Sequence, residues 1–436
     1  VAPLGVVAGR CTRRRAGKVA SSTGRSPKLV VVPVPAVFAV HGVVRDYSWG
    51  STTAIQRLLG IEPDGRPAAE LWLGAHPGAP SAVADTGATL DTLIAEDPVR
   101  LLGQPVLARF GPRLPFLVKV LAAGTSLSLQ VHPNRAQALA GFAAERAAGI
   151  PAGASARNYH DDNHKPELLV SLTEFDALCG FRPVPDTLRL LADWDLAELA
   201  PVRDLLAGPD GLRAAFSYLL TVAEPAPMIR ALAARAAAPD AEAGEWAAVA
   251  RSVRLCAADF PGDRGVVLAL LLNAVRLAPG EAIYLGAGTL HAYLRGTAVE
   301  AMANSDNVLR CGLTAKHVDV PELLRVADFS GLTQPRWPAA DQGVVADFSV
   351  PVEDFRLLLI DLNADRKPGR EAGSCAVGLT GPCVLLCLDG GARVDVGGTC
   401  VELQPGRGAF VCPREAAFVL AGRGRIVLAT DGVGET

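Results

Sequence analysis

The sequence predicts a mainly β protein, of sandwich or jelly-roll type, interrupted by one α-helical insertion. Three observations carry that expectation. From Phe38 to Arg182 short apolar runs alternate with Gly- and Pro-rich turns, the pattern of short strands. Between residues 183 and 265 the pattern changes to Ala, Leu and Arg at three-to-four spacing, the period of amphipathic helices. After Phe348 short apolar segments return between glycines, at a spacing that suits a second, C-terminal jelly-roll-like β domain.

In chain order, the first region predicts strands at Phe38–Val43, Ala69–Leu73, Phe116–Leu121, Ser126–Val131 and Glu167–Leu172. Loops such as Gly74–Ser81 separate them, because Ala-His-Pro-Gly-Ala-Pro-Ser resists regular structure. Helices are expected around Asp186–Leu206, Leu212–Val222, Ile229–Ala237 and Glu245–Ala257. Pro201, Pro209, Pro225, Pro239 and Pro261 mark their boundaries. A strand resumes at Ala282–Leu285. Further on, Asp389-Gly-Gly391 and Gly397-Gly398 read as turns, and Leu403–Val411 as a turn followed by a strand. The resulting plan is a tail over 1–37, a catalytic β domain in two parts (38–182 and 266–345), a helical insertion over 183–265, and a β domain over 346–436. No fixed-period repeat covers the chain.

A chain of 436 residues is too long for one typical core and suggests two or three domains. A net charge of −3 argues against a nucleic-acid partner, which requires a basic surface. Apolar runs such as Leu29–Val40 and Val266–Leu272 are too short to span a bilayer, so no membrane partner is expected. The nine cysteines are odd in number and form no C-x-x-C pair. Cys383 and Cys387, four apart in an apolar run, read as buried thiols of a reduced, cytoplasmic protein. Residues 1–37 carry Arg10, Arg13, Arg14, Arg15, Lys18, Arg25 and Lys28 before the first acid, Asp46. Pro33 and Pro35 interrupt the apolar stretch that would make a signal peptide, and the segment reads as a disordered basic tail.

The stretch Ser126-Leu-Ser-Leu-Gln-Val-His132 alternates without a break, so a strand there puts Gln130 and His132 side by side on its polar face. Taken alone this is an ordinary half-exposed strand. Two later segments, Asn163-His-Lys-Pro-Glu167 and His291-Ala-Tyr293, supply further groups that a metal site needs. His160, Asp161, Asp162 and His164 are rival ligands in the polar run Asn158–Lys165. All seven histidines precede residue 318, so transition-metal chemistry belongs to the first β domain and not to the C-terminal one.

Asp46-Tyr-Ser-Trp-Gly-Ser51, Ala69-Glu-Leu-Trp-Leu-Gly-Ala-His-Pro77, Leu127–Pro133, Asn163–Glu167, His291-Ala-Tyr-Leu294 and the run Gly296–Lys316 together resemble type I mannose-6-phosphate isomerase. The resemblance runs in order from about residue 40 to 345. It implies a zinc-dependent, cupin-like jelly roll with a helical insertion and a second β domain. By motif position it also implies one zinc on Gln130, His132, Glu167 and His291, with Arg310 as the catalytic arginine. Ser48 stands where the family often has Asp, and Asn134-Arg135 replaces a common Asp-Lys. These departures bear on substrate contacts rather than on the metal set.

The activity so implied is interconversion of mannose 6-phosphate and fructose 6-phosphate, with a small sugar phosphate as the partner and a monomer as the expected state. It needs a proton moved between C1 and C2 through an enediol, and a fixed cation for the enediolate. Arg310 suits the cation, since a guanidinium stays charged and donates as a rigid fork. Lys165, His164, Glu300 and Asp306 are the candidate proton carriers, and Lys119 with Ser128 the candidate phosphate contacts. Two alternatives stand beside this reading. A non-catalytic metal cupin that binds sugar phosphates would not need those acid–base groups. A cupin oxygenase would prefer iron in an open three-ligand site, without Gln130.

Overall fold

The structure is a computed structural model, described for residues 35–364, 373–414 and 416–434, with a folded body that begins at Ala36. The expected tail therefore falls almost wholly outside the described residues. Its far boundary moves, because Val37 is already the first residue of the strand Val37–His41 and is buried.

The strands are arranged among the described residues in sheets of eleven, eight and four strands, with helices set beside them. The main path of the eleven-stranded sheet runs Arg336–Trp337, Ala282–Leu285, Glu167–Ser171, His291–Ala303, Phe116–Ala123, Glu70–Gly74 and Val43–Arg45. Phe116–Ala123 and Glu167–Ser171 are buried at every residue, as expected of strands covered on both faces. The 13-residue strand His291–Ala303 organises the site. Its first residues pair with Phe175–Phe181 and meet Gln130, while Gly296–Ala303 pair with Phe116–Ala123. The register shifts between Tyr293 and Arg295, where a bulge lets the strand change partners. Gly296 follows at φ 127°, and a Cβ there would lie 2.6 Å from the Glu174 carbonyl oxygen.

The helical stretch comprises Val184–Trp194, Ala200–Leu206, Gly211–Thr221, Ala226–Ala236 and Ala247–Asp259. Pro201 lies in the first turn of Ala200–Leu206 and Pro225 is the N-cap residue of Ala226–Ala236, places where a missing N–H costs nothing. The apolar faces of these helices share one core with Leu129, Val131, Leu309 and Cys311, the residues on the back of two site strands. Helices also lie where the sequence reading placed none, among them Leu90–Glu96, Pro98–Phe110, Val320–Val326 and Arg135–Ala147, the last with a capping box between Asn134 and Gln137.

The eight-stranded sheet holds most of the C-terminal strands, and Val37–His41 is inserted between Gly408–Val411 and Ala82–Val83. Phe38 stacks on Phe410 at 5.4 Å between ring centroids. The hairpin Gly391–Val396 to Thr399–Leu403 turns on Gly397 and Gly398, both at positive φ, as a two-residue primed turn requires. Among the described residues no helix is long and apolar enough to cross a membrane.

Candidate active site

Three side chains from three segments converge in the interior: His132 just after the strand Leu129–Val131, Glu167 at the start of Glu167–Ser171, and His291 at the start of His291–Ala303. All are at most 1 % exposed. His132 Nε2 lies 3.4 Å from Glu167 Oε1, and His291 Nε2 lies 3.4 Å from Glu167 Oε2. Each imidazole is oriented from behind, since His132 Nδ1 is 2.7 Å from the Asn307 carbonyl oxygen and His291 Nδ1 is 2.9 Å from that of Thr289. A carbonyl can only accept, so both Nδ1 atoms carry the proton and both Nε2 atoms present lone pairs to the carboxylate. Buried lone pairs facing a carboxylate repel, and His132 Nε2 has no hydrogen-bond partner. A cation resolves the conflict. Two zinc–ligand bonds of about 2.1 Å at a tetrahedral angle separate their donor atoms by roughly 3.4 Å, so the residues fit the metal. The amide of Gln130 lies 3.3 Å from His291 Nε2, in place to add a fourth donor.

Around the triad lies a buried charged floor. Lys165 Nζ is 2.8 Å from Glu167 Oε1. Tyr293 donates to Glu300 Oε1 at 2.7 Å. Lys119 Nζ stands 3.2 Å from Glu300 and 3.7 Å from Glu70, whose other oxygen accepts from Trp72 Nε1 at 2.7 Å. Burial opposes ionisation of Glu167, but the Lys165 ammonium beside it favours the charged form and its carboxyl is held well below the usual range. Glu300 is shifted upward, first by burial and then by the charge of Glu167. Burial also works against the Lys119 ammonium, yet Glu70, Glu300 and Glu167 keep it above the ordinary lysine value. Three carboxylates therefore face two ammoniums, a local negative excess that suits a divalent cation.

A cavity of about 490 Å³ opens above this floor, lined among others by Gln130, Lys165, Glu167, Glu300, Asp306 and Arg310. Tyr47, Trp49, Trp72 and Phe260 give it aromatic walls. Arg310 and Lys316 reach it from the same segment, and neither has an ion-pair partner among the described residues. The charge of Arg310 is the main cause that lowers the Lys316 pKa, so the two cations are neighbours. Burial lowers the Arg310 pKa. Asp306 is half-exposed at the cavity, with an oxygen 3.5 Å from His76 Nε2.

The family model for the catalytic domain of type I phosphomannose isomerase matches residues 37–184. The mannose-6-phosphate isomerase of Escherichia coli K12 is 42 % identical over 396 residues, covering 88 % of this chain and 96 % of that protein. The chain belongs to the mannose-6-phosphate isomerase family. The Schizosaccharomyces pombe mannose-6-phosphate isomerase is 33 % identical over 412 residues, covering 84 % of this chain and 92 % of that one. A crystal structure of the Salmonella typhimurium mannose 6-phosphate isomerase bound to fructose 6-phosphate and zinc superposes with a TM-score of 0.80 at 36 % identity, covering 91 % of this chain and all of that one.

Within this mannose-6-phosphate isomerase family chain, the residues singled out from the sequence fall into two groups. Gln130, Glu167, Lys165, Glu300, Asp306, Arg310, Lys119 and Ser128 line the cavity, and His132 and His291 lie beneath it. His164 does not line it and pairs with Asp354 at 2.9 Å. The rival ligands His160, Asp161, Asp162 and His164 lie outside the triad. Asn307 accepts from the backbone N–H groups of His160 and Asp161 and donates to the carbonyls of Asp161 and Asn163. His160 itself is exposed. Lys119 is a poor place for a phosphate, because a dianion there would also meet Glu70 and Glu300. Lys316, Asn307 and Tyr293 were within quoted motifs but carried no assigned role. The signal available for Lys316 was a second cation six residues after Arg310 with no acid between them.

Proposed function

We propose that this chain is a zinc-dependent isomerase that interconverts mannose 6-phosphate and fructose 6-phosphate through an enediolate. The observation that carries the reading is the pair of Nε2 lone pairs aimed at Glu167 beneath a cavity that Arg310 and Lys316 line. Gln130, His132, Glu167 and His291 would hold the metal. When bound, the zinc supplies Lewis-acid polarisation of the substrate oxygens.

The remaining work falls to side chains. Arg310 faces the cavity without a competing carboxylate and stabilises the negative charge that develops on the enediolate oxygens. Glu300 has both oxygens committed, to Tyr293 and Lys119, and acts as a fixed part of the floor. Lys165 keeps donors beyond its contact with Glu167, and Asp306 presents a carboxylate at the opening. These two are the groups placed to exchange protons with substrate. Lys316 with Ser128 takes the phosphate, in place of the Lys119 expected from the sequence. Tyr47, Trp49 and Trp72 wall the sugar. The enzyme works in the cytoplasm, a placement supported by the buried thiols of Cys179, Cys256, Cys311, Cys383 and Cys387.

A coupled assay with each sugar phosphate, before and after exhaustive chelation and after zinc is restored, tests the proposal. Turnover that survives with no residual metal overturns it. Oxygen uptake with either sugar phosphate would favour the oxygenase alternative.

A further inference from the structure

The helical stretch reaches the site through two carboxylates at its end. Asp259, the last residue of the helix Ala247–Asp259, accepts from Ser126 twice, from the backbone N–H and from Oγ, each at 2.7 Å. Arg295 lies 3.4 Å from the same oxygen. Four residues on, Asp263 Oδ1 accepts from the N–H groups of Leu313 at 2.7 Å and Gly265 at 2.6 Å, and Oδ2 from that of Thr314 at 3.4 Å. Neither carboxylate lines the cavity, but the segments they hold do: Thr125–Ser128 on one wall and Leu313–Lys316 on another.

The second segment is held under strain. Leu313 sits at φ 51°, a left-handed conformation that a leucine adopts only when its surroundings impose it. The clamp is also backbone against backbone. A Cβ on Gly265 would fall 2.5 Å from Leu313 N, and one on Gly312 would fall 2.6 Å from Gly265 Cα, so glycine is required on both sides. Leu313 lies between Arg310 and Lys316, and Ser126 lies two residues before Ser128.

We propose that Asp259 and Asp263 are positioning residues through which the helical insertion sets the separation of Ser128 from Lys316, and with it the affinity for the phosphate group of the substrate. The proposal rests on the reading of Lys316 and Ser128 as the phosphate end. A merely structural carboxylate would change the amount of folded enzyme and leave KM alone. A positioning one changes KM while kcat holds, because Arg310 is fixed by its own pairing opposite Gln130 and the metal triad lies on other segments.

The test uses the full chain loaded with zinc, with steady-state kinetics on fructose 6-phosphate and calorimetric titration of inorganic phosphate. Asp263→Ala is expected to raise KM and the phosphate dissociation constant together by roughly tenfold, with kcat within about threefold, since misplacement by an ångström is costly to binding geometry. Asp259→Ala moves both in the same direction through Ser126. Adding Leu313→Gly to Asp263→Ala recovers part of the loss, because glycine takes positive φ without strain. If Asp263→Ala does not fold, Asp263→Asn decides. With its oxygen at the Oδ1 position it keeps the acceptor for Leu313 and Gly265 and turns an N–H toward that of Thr314, so KM should rise about threefold. Unchanged KM and unchanged phosphate affinity in the folded variant overturn the proposal, as does a fall confined to kcat. A wild-type chain that binds phosphate and loses it in these variants, yet never isomerises, overturns the function and leaves the clamp standing. Normal wild-type turnover with phosphate affinity unaltered in every variant overturns the clamp alone.

Discussion

Arg310 stands directly opposite Gln130 in the antiparallel pairing of the strands Leu309–Gly312 and Leu129–Val131. Opposed residues of such a pair project from the same face, so the guanidinium is delivered beside the amide proposed as a metal ligand. The arrangement is anchored from behind by Leu129, Val131, Leu309 and Cys311 in the large helical core. The cation is therefore fixed before substrate arrives, which is the condition for stabilising charge that exists only in the transition state.

Removing it should cost rate far more than binding. Arg310→Ala is expected to fold, hold zinc and bind fructose 6-phosphate, while kcat drops about 10²–10³-fold, the usual loss for one preorganised donor. Arg310→Lys recovers only part, because an ammonium keeps the charge but not the planar fork. A large rise in KM with kcat intact would make Arg310 a phosphate anchor instead.

Metal binding should separate the two histidines that the sequence left as rivals. His132→Ala removes a buried lone pair of the triad and is expected to weaken zinc affinity by well over about 100-fold, more than the loss typical of an outer-shell change. His160→Ala removes an exposed ring and should leave zinc content and thermal midpoint as they were. Equal losses in the two, measured by competition with a chromogenic chelator, would mean that the triad is not the metal site.

The sequence was most legible where a local period meets a single environment. Ala282–Leu285 was expected and is observed at the same residues, and the helices from Val184 to Asp259 follow their three-to-four spacing. It misled where side chains override the backbone pattern. Ser126–Ser128 alternate with their neighbours like a strand, yet Ser126 is taken by Asp259 and the observed strand is only Leu129–Val131. Pairings distant in sequence were illegible. Nothing in Val37–His41 announces Gly408–Val411 as its neighbour, because a strand's partner is set by tertiary packing and not by its own period. The same holds for the site. Motif position delivered the residues, but the neutralisation of Lys119 by Glu70 and Glu300 is visible only once the strands are side by side.

Acid should loosen the contact between Tyr159 and the helix Val320–Val326. Glu322 pairs with Arg325 and accepts from Tyr159, whose backbone N–H is held by Glu145. The hydrogen bond from Arg325 is the main cause that lowers the Glu322 carboxyl below its ordinary value of 4.5. A depressed carboxylate contributes stability that is present above the unfolded value and disappears as pH falls through the folded one. Glu322→Gln should therefore be less stable than wild type at neutral pH, by about 1 kcal/mol or less for a partly exposed pair. The gap should close progressively below about pH 4.5. Urea unfolding of both proteins across that range measures it, and a gap that widens in acid would show that the pair does not stabilise that contact through its charge.

The two lysines should fail in opposite ways. Lys119 is 6 % exposed and compensates Glu70 and Glu300, so Lys119→Met strands two buried carboxylates. Breaking a buried ion pair from one side commonly costs about 3–5 kcal/mol, so the variant should lose thermal stability and carry a disturbed floor. Lys316 is exposed, borders the cavity and is crowded by Arg310, not held by an acid. Lys316→Met should keep the wild-type midpoint, relieve that repulsion, and raise KM for fructose 6-phosphate by roughly tenfold or more, as expected when a charge-assisted phosphate contact is lost. Inorganic phosphate should inhibit it correspondingly less. If Lys119→Met instead keeps its midpoint and raises KM while Lys316→Met is silent, the phosphate belongs at Lys119. Glu70 and Glu300 would then have to be protonated when the substrate is bound.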